Sequence, residues 1–488
     1  MMAATPTTRW QVNGYRFLVR RMEHALVRRD VRMLHDPMRS QSRAFTVGIV
    51  LATLGLAGCA ILALFRPQDK IGNADIVIAK DSGAMFVSME GTWRPVLNLA
   101  SARLILGSAA KPAVVKDAEI AAKPRGALVG IPGAPSALPQ ASSPTNASWL
   151  ICDTVATGGS RSLSSSVLVG EPETGSSASY LGSDRALLVT AGRDTYLVYD
   201  GRRARIDVGD PAITRALGLE GAPSRPISPG MLDAIPEVSS LRAPPIPGAG
   251  TPPRYSLQNK TVGSVVKLST GGDPQFYVLL TDGIQKISPA VAQLIYFADS
   301  QGANGIPEVT PDAVSSIPSV DEIAVADLPV LAPEIVDDKS APVSCLQWQP
   351  VPVSDGTQGT AATLTVVAGR ELPISASARP VTLAQADGAG PNVDSVYVQP
   401  GRGGFVQSTG IEADSIRRDS VFYLSDTGVR YGVPDQESAN ALGLSRAPDR
   451  APWQMLKLLA PGPTLERSNA LIAHDGVAPD SAPAAPVN

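Results

Sequence analysis

AFTVGIVLATLGLAGCAILALF, residues 44–65, is the stretch from which the rest of the chain takes its order. It runs for 22 residues without a charged side chain, between Arg43 and the pair Arg66-Pro67. At about 1.5 Å of rise per residue, a helix of that length crosses the roughly 30 Å hydrocarbon core of a bilayer. Gly48, Gly55 and Gly58 are tolerable there, because lipid enforces helical hydrogen bonding and glycine is common in spanning helices. Two other readings compete with an uncleaved anchor. A cleaved signal peptide has an apolar run of about 7–15 residues close to the N-terminus, whereas here 43 residues precede a longer run. Leu56-Ala57-Gly58-Cys59 spells a lipoprotein box, yet apolar residues continue past Cys59 to Phe65 where a lipidated cysteine would begin polar sequence. The expectation is a single-pass protein with membrane flanks at Arg43 and Arg66.

Charge sets an orientation. Residues 1–43 hold nine arginines, no lysine and three acids, a balance of +6. The remainder carries 33 basic and 42 acidic residues, a balance of −9 that the whole-chain value of −3 conceals. By the positive-inside rule the N-terminus is cytoplasmic and the body lies outside. An acidic body excludes nucleic acid as a partner.

The body is long enough for two to four domains. With 44 Gly, 43 Pro and 5% aromatic residues in the whole chain, the body is expected to be built of short strands and turns rather than long helices. Of the three cysteines Cys59 lies in the apolar run; Cys152 and Cys345 lie outside, and such a pair in an oxidising space reads as one disulfide, with two buried free thiols as the alternative.

Before the span, residues 10–34 show helical periodicity, with Tyr15, Leu18, Met22 and Leu26 on one face and arginines over much of the rest. A basic amphipathic helix lying on anionic headgroups and a docking helix for a cytoplasmic partner both fit. Asp36-Pro37 is expected to end it.

Beyond the span an internal repeat stands out. A β-rich run, a turn at Glu90-Gly91, a second run and two short helices stopped at Pro124 form one unit. The order returns around Asp200-Gly201 with a stop at Pro236, and around Asp282-Gly283 with a stop at Pro318. A fourth copy has Gly428 at its turn and helices at 437–444 and 464–474. From turn glycine to stopping proline the first three copies measure 33, 35 and 35 residues. An acidic-Gly pair between alternating runs is a hairpin signal, since glycine accepts positive φ. One hairpin with two short helices cannot stand alone, so the units are expected to pack on a shared core. Segments 149–169 and 345–398, which hold the two cysteines, are the candidates. The predicted organisation is thus α+β: a cytoplasmic helix (1–43), the spanning helix (44–65), repeat 1 (72–140), a core segment with linker (141–183), repeat 2 (184–250), repeat 3 (251–331), a second core segment (332–400), repeat 4 (401–475) and a tail (476–488). The body is expected to be elongated and quasi-twofold. Residues 158–183 and 333–343 read as loops, and the tail as disordered.

Catalytic signals are weak. His474 is the one histidine outside, so a Ser-His-Asp site would have to use it; a helix-capping role is the simpler reading. No zinc-ligand spacing exists, and no metal or cofactor is expected. A P-loop is missing: residues 263–270 contain Lys267 and Thr270 without the second glycine, and Gly401-Arg402-Gly403-Gly404 lacks the lysine.

Gln11-Val12-Asn13-Gly14-Tyr15-Arg16-Phe17-Leu18, Arg28-Arg29-Asp30, residues 97–104 (LNLASARL), 130–135 (GIPGAP), 152–156 (CDTVA), 428–433 (GVRYGV) and 471–475 (LIAHD) together resemble EccB, the single-pass core component of mycobacterial type VII (ESX) secretion systems. The resemblance covers nearly the whole chain, apart from the Ser-rich run after Cys152 and the tail. It implies an inner-membrane protein whose N-terminal helix meets EccC, EccD and EccE. Its periplasmic body would carry four repeats around a disulfide-tied core, pair with neighbouring copies and meet the mycosin protease. Family repeats have also been likened to wall-binding folds, which makes a peptidoglycan-binding scaffold one alternative. Some members carry an ATPase label, which leaves an ATPase or hydrolase as the other; here the P-loop is absent and the body would face a space poor in ATP, so the residues lean away from an enzyme.

Overall fold

The computed structural model describes residues 8–29, 32, 37–65, 70–138, 148–158, 161–269, 272–351 and 362–477. Two compact units result, Met1–Lys70 and Ile71–Asn488.

In the first, a helix spans Arg9–Arg28. The Thr8 amide donates to Gln11 Oε1 (3.0 Å) at its start, and Arg29 closes it in the left-handed region with φ 54°. The helix therefore stops short of residue 34. A second helix, Pro37–Phe65, begins seven residues before the apolar run. Proline lacks the amide that a first turn leaves unpaired and already has a helical φ, so Pro37 starts a helix, whereas the one before it has already ended at Arg29 and not at Asp36-Pro37. Ser40–Leu62 is the portion long and apolar enough to cross a membrane, with mean hydropathy 2.3 and none of it buried by the rest of the chain. A core helix of a soluble protein would be covered. The hydroxyls of Thr46 and Thr53 bond back to Ser42 O and Ile49 O (2.8 Å each), so neither presents an unpaired donor to lipid. Cys59 is inside this unbroken helix, with helical residues on both sides. Arg43 is exposed on it, while Arg66 lies outside the described residues.

The second unit is organised on a seven-stranded sheet. Its strands run in the order Val381–Thr382, Ser395–Val398, Leu163–Val169, Trp149–Val155, Val343–Pro350, Ala362–Gly369, Ala178–Tyr180. All neighbours are antiparallel except Ser395–Val398 beside Leu163–Val169. Cys152 stands opposite Cys345 in the register, and the two are joined in a disulfide across 193 residues of sequence. Alternation sends Trp149, Ile151, Leu346 and Trp348 to one face and Leu150, Cys152, Cys345 and Val367 to the other; both faces are covered. The segments expected to form the core do so. Residues 158–183, expected as a loop, instead supply two strands. Leu163–Val169 survives as a central strand despite three serines because Ser165 N donates to Asp394 Oδ2 (2.7 Å) and Ser166 Oγ meets Ser395 Oγ (2.7 Å). Residues 333–343 likewise hold a strand, Glu334–Ile335.

Four further sheets share one strand order. In each, three antiparallel strands form a meander, a helix follows, the chain returns parallel to the first strand, and after a second short helix it runs parallel to the third. The meanders are 76–95, 185–206, 265–287 and 404–433. Their first helices are Leu99–Leu106, Pro211–Ala216, Pro289–Ala298 and Gln436–Leu442. Each starts where a side chain can take up an orphan amide: Asn98, Asp210, Ser288 and Asp435 accept from backbone N–H groups. Two points differ from the sequence reading. Each meander has a strand before its hairpin, and the second helix in the last sheet is Trp453–Leu456 rather than 464–474. Arg467–Ala470 is a separate short helix packed on Leu99–Leu106, and Ala473–His474 pairs with Leu128–Val129.

Glu90-Gly91 and Asp200-Gly201 are left-handed at both residues, the geometry of a type I′ turn. Gly201 and Gly428 press on the central sheet: a Cβ on the first would strike the Leu364 carbonyl, and on the second the Val396 side chain. The helices Leu99–Leu106 and Gln436–Leu442 share one apolar core, Pro211–Ala216 and Pro289–Ala298 another. First and fourth sheets are thereby paired, as are second and third.

Candidate functional site

On the helix Arg9–Arg28, the residues at 15, 18, 22 and 26 fall on one narrow face at helical spacing. Tyr15 is 71% exposed, Leu18 56%, Met22 63% and Leu26 81%. A stripe of large apolar side chains this open is costly in water. Around it Arg9, Arg16, Arg20, Arg21 and Arg28 supply positive charge, and the first turn has no acid.

In the second unit the most densely tied place is where the second sheet meets the central one. Ser228 caps the helix Pro229–Ala234: its Oγ accepts from Met231 N (3.1 Å). Its own amide donates to Asp153 Oδ2 at 2.6 Å. Asp153 is 1% exposed, on the face of its strand that carries Trp149 and Ile151. Burial pushes its carboxyl up to about 6, partly offset by the Ser228 bond and the Arg225 charge. Arg225, also buried, spends its guanidinium on Ala341 O (2.9 Å) and Pro342 O (2.7 Å), and burial lowers its pKa. Arg161 pairs with Asp338 at the rim of an adjoining cavity of about 540 Å³. The far side of the same short helix touches the fourth sheet's region, through Asp233 with Lys457 and Gly230 against Leu458. Sequence reasoning missed this cluster. The signal was a lone charged residue in the mostly apolar strand WLICDTV.

A larger cavity, about 730 Å³, opens on the disulfide face, with Leu150, Leu168 and Tyr397 among its apolar lining and Glu171, Glu173 and Arg379 among its polar one. Among the described residues no three His, Cys, Asp or Glu side chains converge as a metal would require. His474 sits in the strand pair with Leu128 and its Nε2 donates to Gly130 O (2.9 Å), so it holds chain segments together and neither caps a helix nor joins a triad. Lys267 is in the strand Val265–Leu268, not in a loop before a helix, and Gly401 turns with φ 73° into the strand Gly404–Thr409. A phosphate cradle needs amides at a helix N-terminus, which neither offers.

Residues 4–479 match the family model described as "Type VII secretion system ESX-1, transport TM domain B". The chain is 39% identical over 481 residues to the "ESX-1 secretion system ATPase EccB1" of Mycobacterium tuberculosis H37Rv, covering 98% of this chain and 97% of that one. To the "ESX-3 secretion system ATPase EccB3" of Mycolicibacterium smegmatis it is 40% identical over 493 residues, covering 97% and 92%. Among solved structures it resembles a chain of the "intact ESX-5 inner membrane complex" (TM-score 0.75, 34% identity, 100% and 99% covered). It also resembles a chain of the "EccB3 dimer from the ESX-3 core complex" (TM-score 0.71, 36% identity, 82% and 100% covered).

Proposed function

The chain belongs to the EccB family of type VII secretion components, and from that premise we propose that it is a structural core component of an ESX secretion complex in the inner membrane. The carrying observation is the joining, in one chain, of a fully uncovered spanning helix to a large disulfide-tied β-rich body, with the family match running through both. The solved relatives are parts of an inner-membrane complex and a dimer, which supports assembly with further copies here.

Nine arginines before the span favour a cytoplasmic N-terminus and a periplasmic body. Arg43 and Arg66 would stand at the two headgroup layers. Tyr15, Leu18, Met22 and Leu26 form the docking face toward the other membrane components, EccC, EccD and EccE, because a protein groove reads side chains at this spacing. The four sheets of one strand order are copies of a single unit, in segments 72–140, 184–250, 251–331 and 401–475, around the disulfide sheet. The mycosin protease would meet the body on the outer side. Relatives bear the word ATPase in their names; for this chain we favour a role without ATP turnover, since no Walker A sequence exists.

The test is a tagged full-length chain extracted from membranes and analysed by mass spectrometry. Copurification with the other membrane components is expected; a chain that extracts alone, under conditions that preserve the complex, refutes the proposal.

A further inference from the structure

Asp153 is a buried carboxyl whose charge is only partly compensated, since Ser228 and the Arg225 charge ease the cost of burial without cancelling it. Oδ2 has the Ser228 amide, and Oδ1 is buried without a hydrogen-bond partner. The nearest cation offers little relief: the Arg225 guanidinium is turned to the carbonyls of Ala341 and Pro342. Other elements around it add no compensating charge in contact. Asp394, before the strand Ser395–Val398, is a further negative group held by the amides of Ser165, Asp387 and Gly388. Asp337 and Asp338 come from the segment before Val343, and Arg161 is committed to Asp338. From the short helix Asp233 is paired outward with Lys457. The strand Val343–Pro350 places uncharged Ser344 opposite.

We propose that Asp153 is a proton-operated clamp: neutral, it seats the capped helix Pro229–Ala234 on the central sheet, and ionised it loosens that seat. A buried anion missing half its hydrogen bonds is penalised, and the penalty falls on whatever keeps water away from it. What keeps water away is this helix, through Met231, Ala234 and Ile235, all buried in the core shared with Trp149 and Ile151. The helix also bridges to Lys457 and Leu458, so the clamp acts on the joint between second sheet, central sheet and fourth sheet.

The sign follows from linkage. A carboxyl moved from 3.8 to about 6 in the fold stabilises the closed joint most below 3.8, and the advantage is lost as pH rises through about 6. The closed-to-open ratio differs about a hundredfold across the whole window, and about tenfold between pH 7 and pH 5. Asp117 and Asp337 are shifted the other way, by hydrogen bonds, and release stability only at lower pH. Asp449 is raised by burial as well and is the necessary control.

The experiment is hydrogen exchange on the full-length chain in detergent from pH 7 to pH 5, corrected for chemical exchange rates. The amides of residues 230–235 should become about tenfold better protected on acidification, the rise setting in as pH falls through about 6 and still continuing at pH 5. Asp153→Asn should hold that protection at both pH values, while Asp449→Asn keeps the wild-type dependence. Wild-type protection that is flat or falls toward pH 5 overturns the clamp even if Asp153→Asn does not fold; so does a dependence that survives in Asp153→Asn.

Discussion

Gly201→Ala and Gly91→Ala make the same chemical change in the same kind of turn, and the structure separates their consequences. Both glycines follow a left-handed acidic residue, with φ of 71° and 79°. Forcing an alanine into that backbone region costs about 1–2 kcal/mol. At Gly91 nothing lies within 4 Å of the added methyl, so that is the whole cost. At Gly201 the methyl would occupy the place of the Leu364 carbonyl in the central sheet, where the backbone is held in register opposite Trp348 and has little room to swing away. Overpacking adds about 1–3 kcal/mol, for a total of about 2–5 kcal/mol. Gly428→Ala should resemble Gly201→Ala, because Val396 is fully buried and β-branched. The assay is denaturant unfolding of the full-length chain in detergent, followed by tryptophan fluorescence. Trp149 and Trp348, opposite each other and buried in the central sheet, report on it directly. The expected order of loss is Gly201 and Gly428 well above Gly91. Equal losses at all three would mean that the second and fourth sheets do not bear on the central one as described, and the reasoning fails.

Replacing Cys152 and Cys345 together by serine should cost up to about 5 kcal/mol, given the 193-residue separation, and mass spectrometry of unreduced peptides should find the native pair linked; two alkylated thiols would refute it. Leu18→Asp should abolish copurification with the other membrane components more fully than changing Arg28 and Arg29 to Gln. The opposite order, with salt-sensitive binding, would make the helix a headgroup anchor. The purified full-length chain should show no ATP turnover of its own; activity that vanishes on a point change within Ile71–Asn488 would overturn that expectation.

Much of this architecture was legible because it rests on strong local signals. A charge-free run from 44 to 65 can satisfy its backbone only as a helix, and Glu90-Gly91 and Asp200-Gly201 have one favourable turn. The strands that carry Cys152 and Cys345 lie in or beside the segments 149–169 and 345–398 that the sequence marks as core candidates. What escaped depended on partners distant in sequence. Ser164-Ser165-Ser166 reads as a loop until Asp394 and Ser395 are placed beside it. The opening strands Ile76–Ala79 and Val265–Leu268, four residues each, are too short to announce themselves without their neighbours. The end of the first helix was misplaced because residue-by-residue periodicity continues past Arg29, whereas the backbone turns left-handed there. Asp153 shows in the sequence as a charge among apolar residues; that its Oδ1 lacks a partner is a property of the packing alone.

The pairing of Ala473–His474 with Leu128–Val129 bears on the order in which the protein can be finished. The first sheet after the membrane is made early, yet its edge by Gly130 receives its hydrogen bond from His474, some 344 residues later. The apolar core around Leu104 and Ile105 likewise waits for Leu442, Leu465 and Ala470. Contacts so distant in sequence close slowly. Until then the oldest part of the body stands with an open flank, and whatever assists secretion-complex assembly outside the membrane meets a chain whose beginning is completed by its end.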